Sequence, residues 1–471
     1  MYTLKNLMTA GCLMLAFIFS GCNSGSDSAS GGGDTAKGVF SVPVEYYTLP
    51  NGLKVILSPD HSTPTATVAV YYNIGFRIEP KDRTGFAHLF EHMMFQGSQN
   101  LGKMEFIKLV ESNGGVLNGS TRFDFTNYFE VVPAHKLETM LWAEADRMRG
   151  LAITQDNLTN QQGVVKNEVK VNVLNQPYGG FPWLDMPQYA NKNWYNAHNF
   201  YGDLEDLDAA TLEDVQDFFN TYYSPNNAAL AVVGDFDPAK TKAWIEQYFS
   251  GIPSSALPEK PDLTEPAQTE EQRFNKVDSL ATQPAIAVAY KMPERNSDEY
   301  FAMGLLDQIL IKGDNSLLTQ KLVKDKGYTS SVTGGINYPL GNMFNYNGPM
   351  LFMFYSIHDK AYASDTVLGS IDSVIEELAA SGVTQEMIDK ALVKIRSDLY
   401  DDFGGVGGIG RADLLCSFAL FDNDPARINQ LEERFRNISP EIVNKTLKQY
   451  FVPGNRTVLT LEPRAGESAN Q

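Results

Sequence analysis

Cysteine is rare in this 471-residue sequence, which contains Cys12, Cys22 and Cys416 and no others. Two of the three lie within the first 22 residues, so Cys416 has no cysteine partner in the remainder of the chain. This excludes an internal disulfide framework, and stability must come from an apolar core. Cys416 stands in an apolar run and is expected to be a small buried residue.

Positive charge and long apolar runs are also in short supply. The chain has 38 Lys and Arg against 57 Asp and Glu, which gives a formal net charge of −19 and argues against a nucleic-acid partner. After the N-terminal segment, no apolar run reaches the roughly 20 residues that a transmembrane helix needs. The length is too great for one core and indicates two or more domains.

The N-terminus has the pattern of a processed export signal. An apolar run at 7–19 ends in Ser-Gly-Cys and is followed by a stretch rich in Gly and Ser. This pattern resembles the lipobox of bacterial lipoproteins, which implies a signal peptide at 1–21, acylation of Cys22 and a flexible tether at 22–39. The expected location is the bacterial cell envelope, with the lipid as the membrane anchor. Asn23 favours the outer membrane facing the periplasm, and plain secretion is the alternative.

Histidine is also scarce, with six in the chain, yet two of them stand in the segment 88–92, which reads His-Leu-Phe-Glu-His. On a helix, His88 and His92 lie one turn apart on the same face and can bind one metal ion. Glu91 lies beside that face, where its carboxylate can reach a water on the ion. The flanking apolar residues predict a buried helix at roughly 84–95, and a structural histidine pair is the alternative. The ordered H-x-x-E-H triplet favours the metal, because it is the inverted zinc-peptidase signature.

Tetrahedral zinc needs a third protein ligand, which must come from elsewhere in the chain. The other histidines lack ligand-like spacing and are expected at the surface or in loops; they are His61, His135, His198 and His358. The better candidate is Glu168, on a predicted helix whose Val164 and Val165 are expected to point inward. On composition alone, several other acids remain possible.

The chain is expected to contain two copies of one α+β domain. The apolar strand at 67–72 recurs at 285–290, and an aromatic-Pro-Asn turn before a later strand recurs in the same order. A stretch rich in Pro and acids separates the copies. We therefore predict a zinc-binding domain at 40–252, a linker at 253–270 and a metal-free homologous domain at 271–471. Each domain is expected to be a mainly antiparallel sheet packed with helices.

The first copy also has a predicted place for a peptide. The strand expected at 125–132 is taken as a sheet edge, and residues 113–121 are interpreted as a turn-rich approach to it. An extended peptide that adds to this edge would be held by main-chain hydrogen bonds, with little reading of its sequence. Such binding favours short or unfolded peptides as substrates.

The H-x-x-E-H triplet, the following Gly-Gly-x-x-Asn-x-x-Thr segment and the later glutamate resemble the pitrilysin and mitochondrial-processing-peptidase family of zinc metallopeptidases, the inverzincins. The resemblance extends to Tyr201-Gly202-Asp203 and covers most of the chain after the tether. It implies two homologous α+β domains that enclose a chamber. It also implies hydrolysis of peptides through a zinc-activated water, with one Zn²⁺ per chain.

The same resemblance assigns roles to individual residues. His88, His92 and Glu168 are the implied zinc ligands, and Glu91 is the implied general base. Asn118 and Gly119, the latter where the family usually has Ala, belong to the implied substrate-binding edge strand. Gln161 stands where the family often has a second glutamate that supports the ligands, and it can orient a ligand without adding charge.

One departure from the family concerns the second domain. Family members complete the active site with an Arg and a Tyr from there, whereas this sequence has Leu317 and Ser330 at those positions, with Tyr328 out of register. The preferred interpretation is a heterodimer in which a homologous metal-free subunit supplies the Arg/Tyr pair. A chain that acts weakly alone is one alternative. Another is a non-catalytic peptide-binding or assembly subunit on the same scaffold.

Overall fold

The computed structural model describes residues 41–404 and 406–464. The predicted signal peptide at 1–21, the acylated Cys22 and the tether at 22–39 lie outside the described residues. In the described part of the chain, no helix combines the length and the apolar character that a membrane span requires. Cys416 is fully buried, as its apolar surroundings predict.

The first half of the chain forms a six-stranded sheet. Its strands are β1 (Glu45–Thr48), β2 (Lys54–Pro59), β3 (Thr65–Tyr72), β4 (Val116–Thr121), β5 (Thr126–Pro133) and β6 (Ala228–Gly234). Their spatial order is β1-β2-β6-β3-β5-β4. All neighbours are antiparallel except β2 and β6, which run parallel. Because β3 and β6 are central and covered on both faces, they are apolar almost throughout.

The second half repeats this sheet without its first strand. The strands are β7 (Gln272–Asp278), β8 (Ala285–Lys291), β9 (Thr333–Ile336), β10 (Leu351–Ile357) and β11 (Arg456–Pro463). Their order is β7-β11-β8-β10-β9, again with one parallel pair, β7 and β11. Each strand therefore has a counterpart in the first sheet, and the internal repeat inferred from sequence is confirmed as a structural repeat.

Sixteen helices in the described residues surround the two sheets. In the first half they are α1 (Phe86–Met93), α2 (Glu105–Ser112), α3 (Leu137–Arg149), α4 (Gln155–Val169), α5 (Asp185–Ala190), α6 (Trp194–Ala197), α7 (Leu204–Ala209), α8 (Leu212–Tyr222) and α9 (Pro238–Phe249). In the second half they are α10 (Asp298–Leu310), α11 (Leu317–Thr319), α12 (Ser364–Ser381), α13 (Gln385–Gly404), α14 (Ile409–Asp422), α15 (Leu431–Arg436) and α16 (Pro440–Tyr450). The mixed α+β class is as predicted.

Strand β4 forms one edge of the first sheet and β1 forms the other, so the expectation that residues 125–132 form an edge is wrong. That segment corresponds to β5, which pairs with β3 on one side and β4 on the other. Residues 116–121 read Val-Leu-Asn-Gly-Ser-Thr, a composition typical of a turn, yet they form the outermost strand. An edge strand pairs on one side and is half exposed, so it needs few apolar residues.

Each half lends a helix to the other half's sheet. Helix α14, from the second half, lies across β3 and β6, where Tyr71 donates to Asp413 Oδ1 at 2.9 Å and the Cys416 sulfur lies 4.0 Å from the carbonyl oxygen of Ala69. In return, α5 and the segment before it cover β8 and β11 through Phe181 and Met186. The two halves therefore share their cores.

A buried ion pair also joins the halves. Arg77 Nε lies 2.8 Å from Asp124 Oδ1, and both side chains are buried. Arg77 Nη1 donates to Asn196 Oδ1 at 2.6 Å and to the carbonyl oxygen of Pro349 at 2.8 Å. Asp124 in turn accepts from the backbone N–H of Asn347 at 2.7 Å. The ion pair itself lies in the first half, and its hydrogen bonds with the carbonyl oxygen of Pro349 and the N–H of Asn347 connect it to the second half.

Candidate metal centre

Helix α1 begins at a point fixed by a glycine and a buried carboxylate. Gly85 has a φ of +79°, and a side chain there would meet the carbonyl oxygen of Tyr201 at 2.5 Å. Glu79 is fully buried and accepts the backbone N–H groups of Gly85 and Ala87, which an isolated helix would leave unpaired. The negative charge also suits the positive end of the helix dipole. The position of α1 is therefore set from its first turn.

Three candidate ligand atoms converge between α1 and α4. The Nε2 atoms of His88 and His92 are 3.3 Å apart. Glu168 Oε2 lies 3.3 Å from His92 Nε2, and Glu168 Oε1 lies 3.7 Å from His88 Nε2. A tetrahedral zinc ion with bonds of about 2 Å separates its ligand atoms by about 3.3 Å, so this donor set fits the ion. These three residues form the one group in the described residues that could hold a metal ion in this way.

The electrostatics of the three residues suit metal binding. Burial lowers the pKa of His88 to about 4, so its ring is neutral and free to bind a cation at pH 7. The hydrogen bond with His92 lowers the pKa of Glu168, so that carboxyl is ionised. His88 is buried, whereas His92 and Glu168 are partly exposed. The cluster is therefore open to solvent on one side, as a catalytic metal site requires.

Glu91 lies beside the cluster and is held by the edge strand. Thr121, the last residue of β4, has its hydroxyl 2.8 Å from Glu91 Oε2, and it can donate there. Burial raises the pKa of Glu91, and the bond from Thr121 opposes that rise. The carboxylate is thus fixed in direction and made more basic than a carboxylate in water, which suits proton transfer.

Glu79, Thr121 and Tyr201 also support this site, although the sequence alone indicated no role for them. The Tyr201 hydroxyl donates to Glu168 Oε1 at 3.2 Å. Thr121 and Tyr201 stood in segments that carried the resemblance, but their roles depend on contacts between distant parts of the chain. Nothing local in the sequence distinguishes Glu79 from an exposed acid.

The structure places the other predicted site residues, Gln161, Asn118 and Gly119, on α4 and β4, and their roles stay predictions. Gln161 is buried on α4, and its amide donates to Asn160 Oδ1 at 2.8 Å. Asn118 and Gly119 lie on β4, where the Gly119 N–H donates to Asn118 Oδ1 at 2.9 Å. Their strand is the free edge next to Glu91, so a peptide paired with it would run past the candidate metal centre.

Two burial expectations are wrong. Val165 is fully buried, but Val164 is 40% exposed, because neighbouring positions on a helix differ in direction by about 100°. His358 is fully buried at the end of β10, where its Nε2 lies 3.0 Å from Ser364 Oγ. The identity of a single valine or histidine therefore does not predict whether its side chain is buried or exposed.

The second half carries different residues at the corresponding place. Helix α10 packs against β9 and α13 as α1 packs against β4 and α4. There Gln308 donates to Asp398 Oδ2 at 3.0 Å, and Asp307 is buried near Lys312. A lysine, Lys312, therefore provides the positive charge beside Asp307. Further along, Leu317 is partly buried, Ser330 is exposed, and the buried Tyr328 ring packs on Tyr362 at 4.5 Å.

Two family models match most of the described chain. Residues 54–193 match the model described as insulinase, peptidase family M16. Residues 209–393 match the model described as the peptidase M16 inactive domain.

Known proteins resemble the chain over more than half of its length. The zinc protease PqqE of Helicobacter pylori is 26% identical over 425 residues, which cover 89% of this chain and 93% of that protein. The mitochondrial-processing peptidase subunit beta of Saccharomyces cerevisiae is 23% identical over 278 residues, 57% of this chain and 60% of that protein. A crystal structure of a protease from Helicobacter pylori superposes with a TM-score of 0.82 at 25% identity, covering 90% of this chain and all of that one. The periplasmic protease PqqL from Escherichia coli shares the fold with a TM-score of 0.70 at 17% identity, and this chain covers 47% of it.

Proposed function

Because the chain belongs to peptidase family M16, we propose that it is a zinc-dependent endopeptidase with Glu91 as its general base. The observation that carries this proposal is the convergence of His88, His92 and Glu168 within zinc-ligand distances beside Glu91. A buried structural histidine pair would need neither the carboxylate opposite both rings nor the solvent opening.

Each residue of the site then has a distinct task. Zinc held by His88, His92 and Glu168 would polarise a peptide carbonyl and lower the pKa of a bound water. Glu91 would accept the proton from the attacking water and deliver it to the leaving amine. Thr121 would keep one Glu91 oxygen fixed during both transfers.

The substrate class follows from the free edge of the first sheet. A peptide that pairs with β4 at Asn118 and Gly119 would be bound through its main chain and would reach Glu91 at the Thr121 end of the strand. Folded proteins have few unpaired extended segments. Short peptides and unfolded segments are therefore the proposed substrates.

A second subunit is part of the proposal. Leu317 has no hydrogen-bond donor, and the short neutral side chain of Ser330 offers neither the charge of an Arg nor the reach of a Tyr, so a homologous metal-free chain would supply that pair. One relative is by name a subunit of the mitochondrial-processing peptidase, and PqqL from Escherichia coli is about twice the length of this chain. We further propose that acylated Cys22 attaches the enzyme to the bacterial cell envelope, in the outer membrane facing the periplasm.

The substitution Glu91→Gln tests the catalytic role. It keeps the side chain's size and the three ligands but removes the base, so the variant should remain folded and zinc-loaded while peptide cleavage falls about a thousandfold. The measurements are zinc content and cleavage of a quenched fluorescent peptide. Glu111→Gln, on exposed α2, is the matched control and should retain activity. Full activity in the Glu91→Gln variant would contradict the proposal.

A non-catalytic peptide-binding or assembly subunit is the second candidate function. The match of residues 209–393 to an inactive-domain model favours it, as do Leu317 and Ser330. The same assay separates the two, with a metal-free homologue that carries the Arg/Tyr pair added to one set of samples. Zinc-loaded wild-type protein that binds the peptide and never cleaves it, alone or with that homologue, would establish this second function.

A further inference from the structure

Tyr201 contacts two of the three candidate ligands from outside their helices. Its hydroxyl donates to Glu168 Oε1 at 3.2 Å. Its ring meets the His88 ring edge-on, with the centroids 5.1 Å apart. The segment between α6 and α7 that carries Tyr201 therefore bridges α1 and α4 at the level of the candidate metal centre.

The phenol is poised to act as a donor toward Glu168. An ionised carboxylate can only accept a hydrogen bond, so the Tyr201 hydroxyl is the donor in the contact with Glu168 Oε1. The side chain of Asn172 lies near the same phenol. Glu168 then has one oxygen bonded to Tyr201 and the other facing His92 at 3.3 Å.

Glu168 has a particular need for such a partner. It stands one residue before the end of α4, where the chain widens into a single π-helical turn, Lys170–Leu174. Its side chain is partly exposed, and a long carboxylate side chain loses rotamer freedom when it is fixed. A hydrogen bond that already restricts the Glu168 side chain in the metal-free protein would reduce the conformational entropy lost when the metal binds.

The backbone of Tyr201 is itself fixed against the start of α1. Gly202 has a φ of +66°, and a side chain there would lie 2.3 Å from the Gly85 nitrogen. The next residue, Asp203, donates its N–H to Thr84 Oγ1 at 2.8 Å. The Trp183 ring packs edge-on to Tyr201 at 6.1 Å. The hydroxyl is therefore presented by a rigid segment.

We propose that Tyr201 is a positioning residue that orients Glu168 for the metal ion. This rests on the metal site of the proposed function. Hydrogen bonds to metal ligands fix ligand orientation, and their loss typically weakens metal binding ten- to a hundredfold. Tyr201 would act through Glu168 and would touch neither the ion nor the substrate.

The test is zinc affinity, measured by competition with a chromophoric chelator. Tyr201→Phe keeps the ring and removes the hydroxyl, so its zinc dissociation constant should rise about ten- to a hundredfold. The absorption bands of the Co²⁺-loaded variant should shift, because the ligand geometry changes. Asn172→Ala, at an exposed position, should weaken zinc binding by a smaller factor. Tyr195→Phe, in the neighbouring helix α6, is the control and should leave both readouts unchanged.

The outcomes separate this inference from the proposed function. Wild-type protein that binds no zinc would overturn both. If wild-type protein binds zinc, and Tyr201→Phe binds it equally tightly with the same Co²⁺ spectrum, only the role of Tyr201 is overturned. A role confined to packing would lower the thermal unfolding midpoint of the metal-free variant and leave zinc affinity unchanged, which also counts against the proposal.

Discussion

Thr121 connects the free edge of the first sheet to the candidate general base. We expect Thr121→Val to lower kcat for peptide cleavage about tenfold with KM and zinc content unchanged, because Glu91 would lose the donor at 2.8 Å that fixes its carboxylate. Steady-state kinetics with a quenched peptide and zinc analysis measure this. Ser120→Ala is the control, since Ser120 bonds to Asn127 and faces the other side of the strand. Equal kcat in the two variants would contradict the prediction.

Individual residues differed in how far the sequence disclosed them. His88, Glu91 and His92 could be predicted because their relation depends on helix geometry alone. Glu168 needed the family resemblance, since no local rule connects it to the histidines. The contact of Tyr201 with Glu168 depends on the packing of α1, α4 and the segment between α6 and α7. Residue spacing along the chain does not predict that packing.

Helix α1 depends on Glu79 for the pairing of its first backbone N–H groups. We expect Glu79→Gln to lower the free energy of unfolding by about 2 kcal/mol, because an amide offers one acceptor oxygen where the carboxylate offers two, and a buried N–H is left unpaired. Urea unfolding measures the loss. The exposed Glu111→Gln variant should stay within about 0.5 kcal/mol of the wild type. Unfolding of Glu79→Gln at the wild-type urea concentration would refute this role.

Helix α10 should make stability depend on pH. Burial raises the pKa of Asp307 to about 7, from 3.8 for the free side chain. Between those values the folded protein holds a proton that the unfolded chain has released, so this group favours folding less as the pH rises. The free energy of unfolding of the wild type should therefore fall by about 2 kcal/mol more than that of Asp307→Asn between pH 5 and pH 7. Parallel urea titrations of the two proteins provide the measurement, and identical pH dependence would rule out the assignment.

Elements with strong local patterns were predictable, and those fixed by their neighbours were not. The apolar strand predicted at 67–72 lies within β3, and the buried helix predicted at roughly 84–95 contains α1. The residue pattern alone did not predict β4, because an edge strand shows little apolar character, whereas the family resemblance did place Asn118 and Gly119 on an edge strand. The exact ends of α4 also escaped prediction, since the π-helical turn after it depends on packing.

The exchange of α5 and α14 should make the two halves depend on each other. Expressed alone, residues 41–256 and 257–464 should each be insoluble or unfolded, because each sheet would expose the apolar face that the other half covers. Produced together, they should form one complex with a cooperative unfolding transition. A full-length chain cut by a protease at a site inserted beside exposed Leu257 should remain a single species in size-exclusion chromatography. Cooperative folding of either half alone would disprove this dependence.

The organisation of the whole molecule was only partly visible in the sequence. Repeated strands and turns predicted two homologous halves with a linker, and residues 250–271 do lack helices and strands. The exchange of helices was not predicted, because the apolar pattern of a helix indicates that one face is buried but not which sheet it packs against. The Arg77–Asp124 pair was missed for the same reason, since two of its hydrogen-bond partners, Pro349 and Asn347, come from the second half.

The position of α14 late in the chain has a consequence for biosynthesis. The last strand of the first sheet ends at residue 234, and the helix that covers that sheet ends at residue 422. At roughly 5–20 residues per second, the ribosome needs about 10–40 s to make the intervening stretch. If the first sheet forms during that time, the alanine-rich face that α14 later covers remains exposed to water. Because the covering helix is synthesised after the sheet, we expect the chain to need either a chaperone that holds it unfolded or export before it folds.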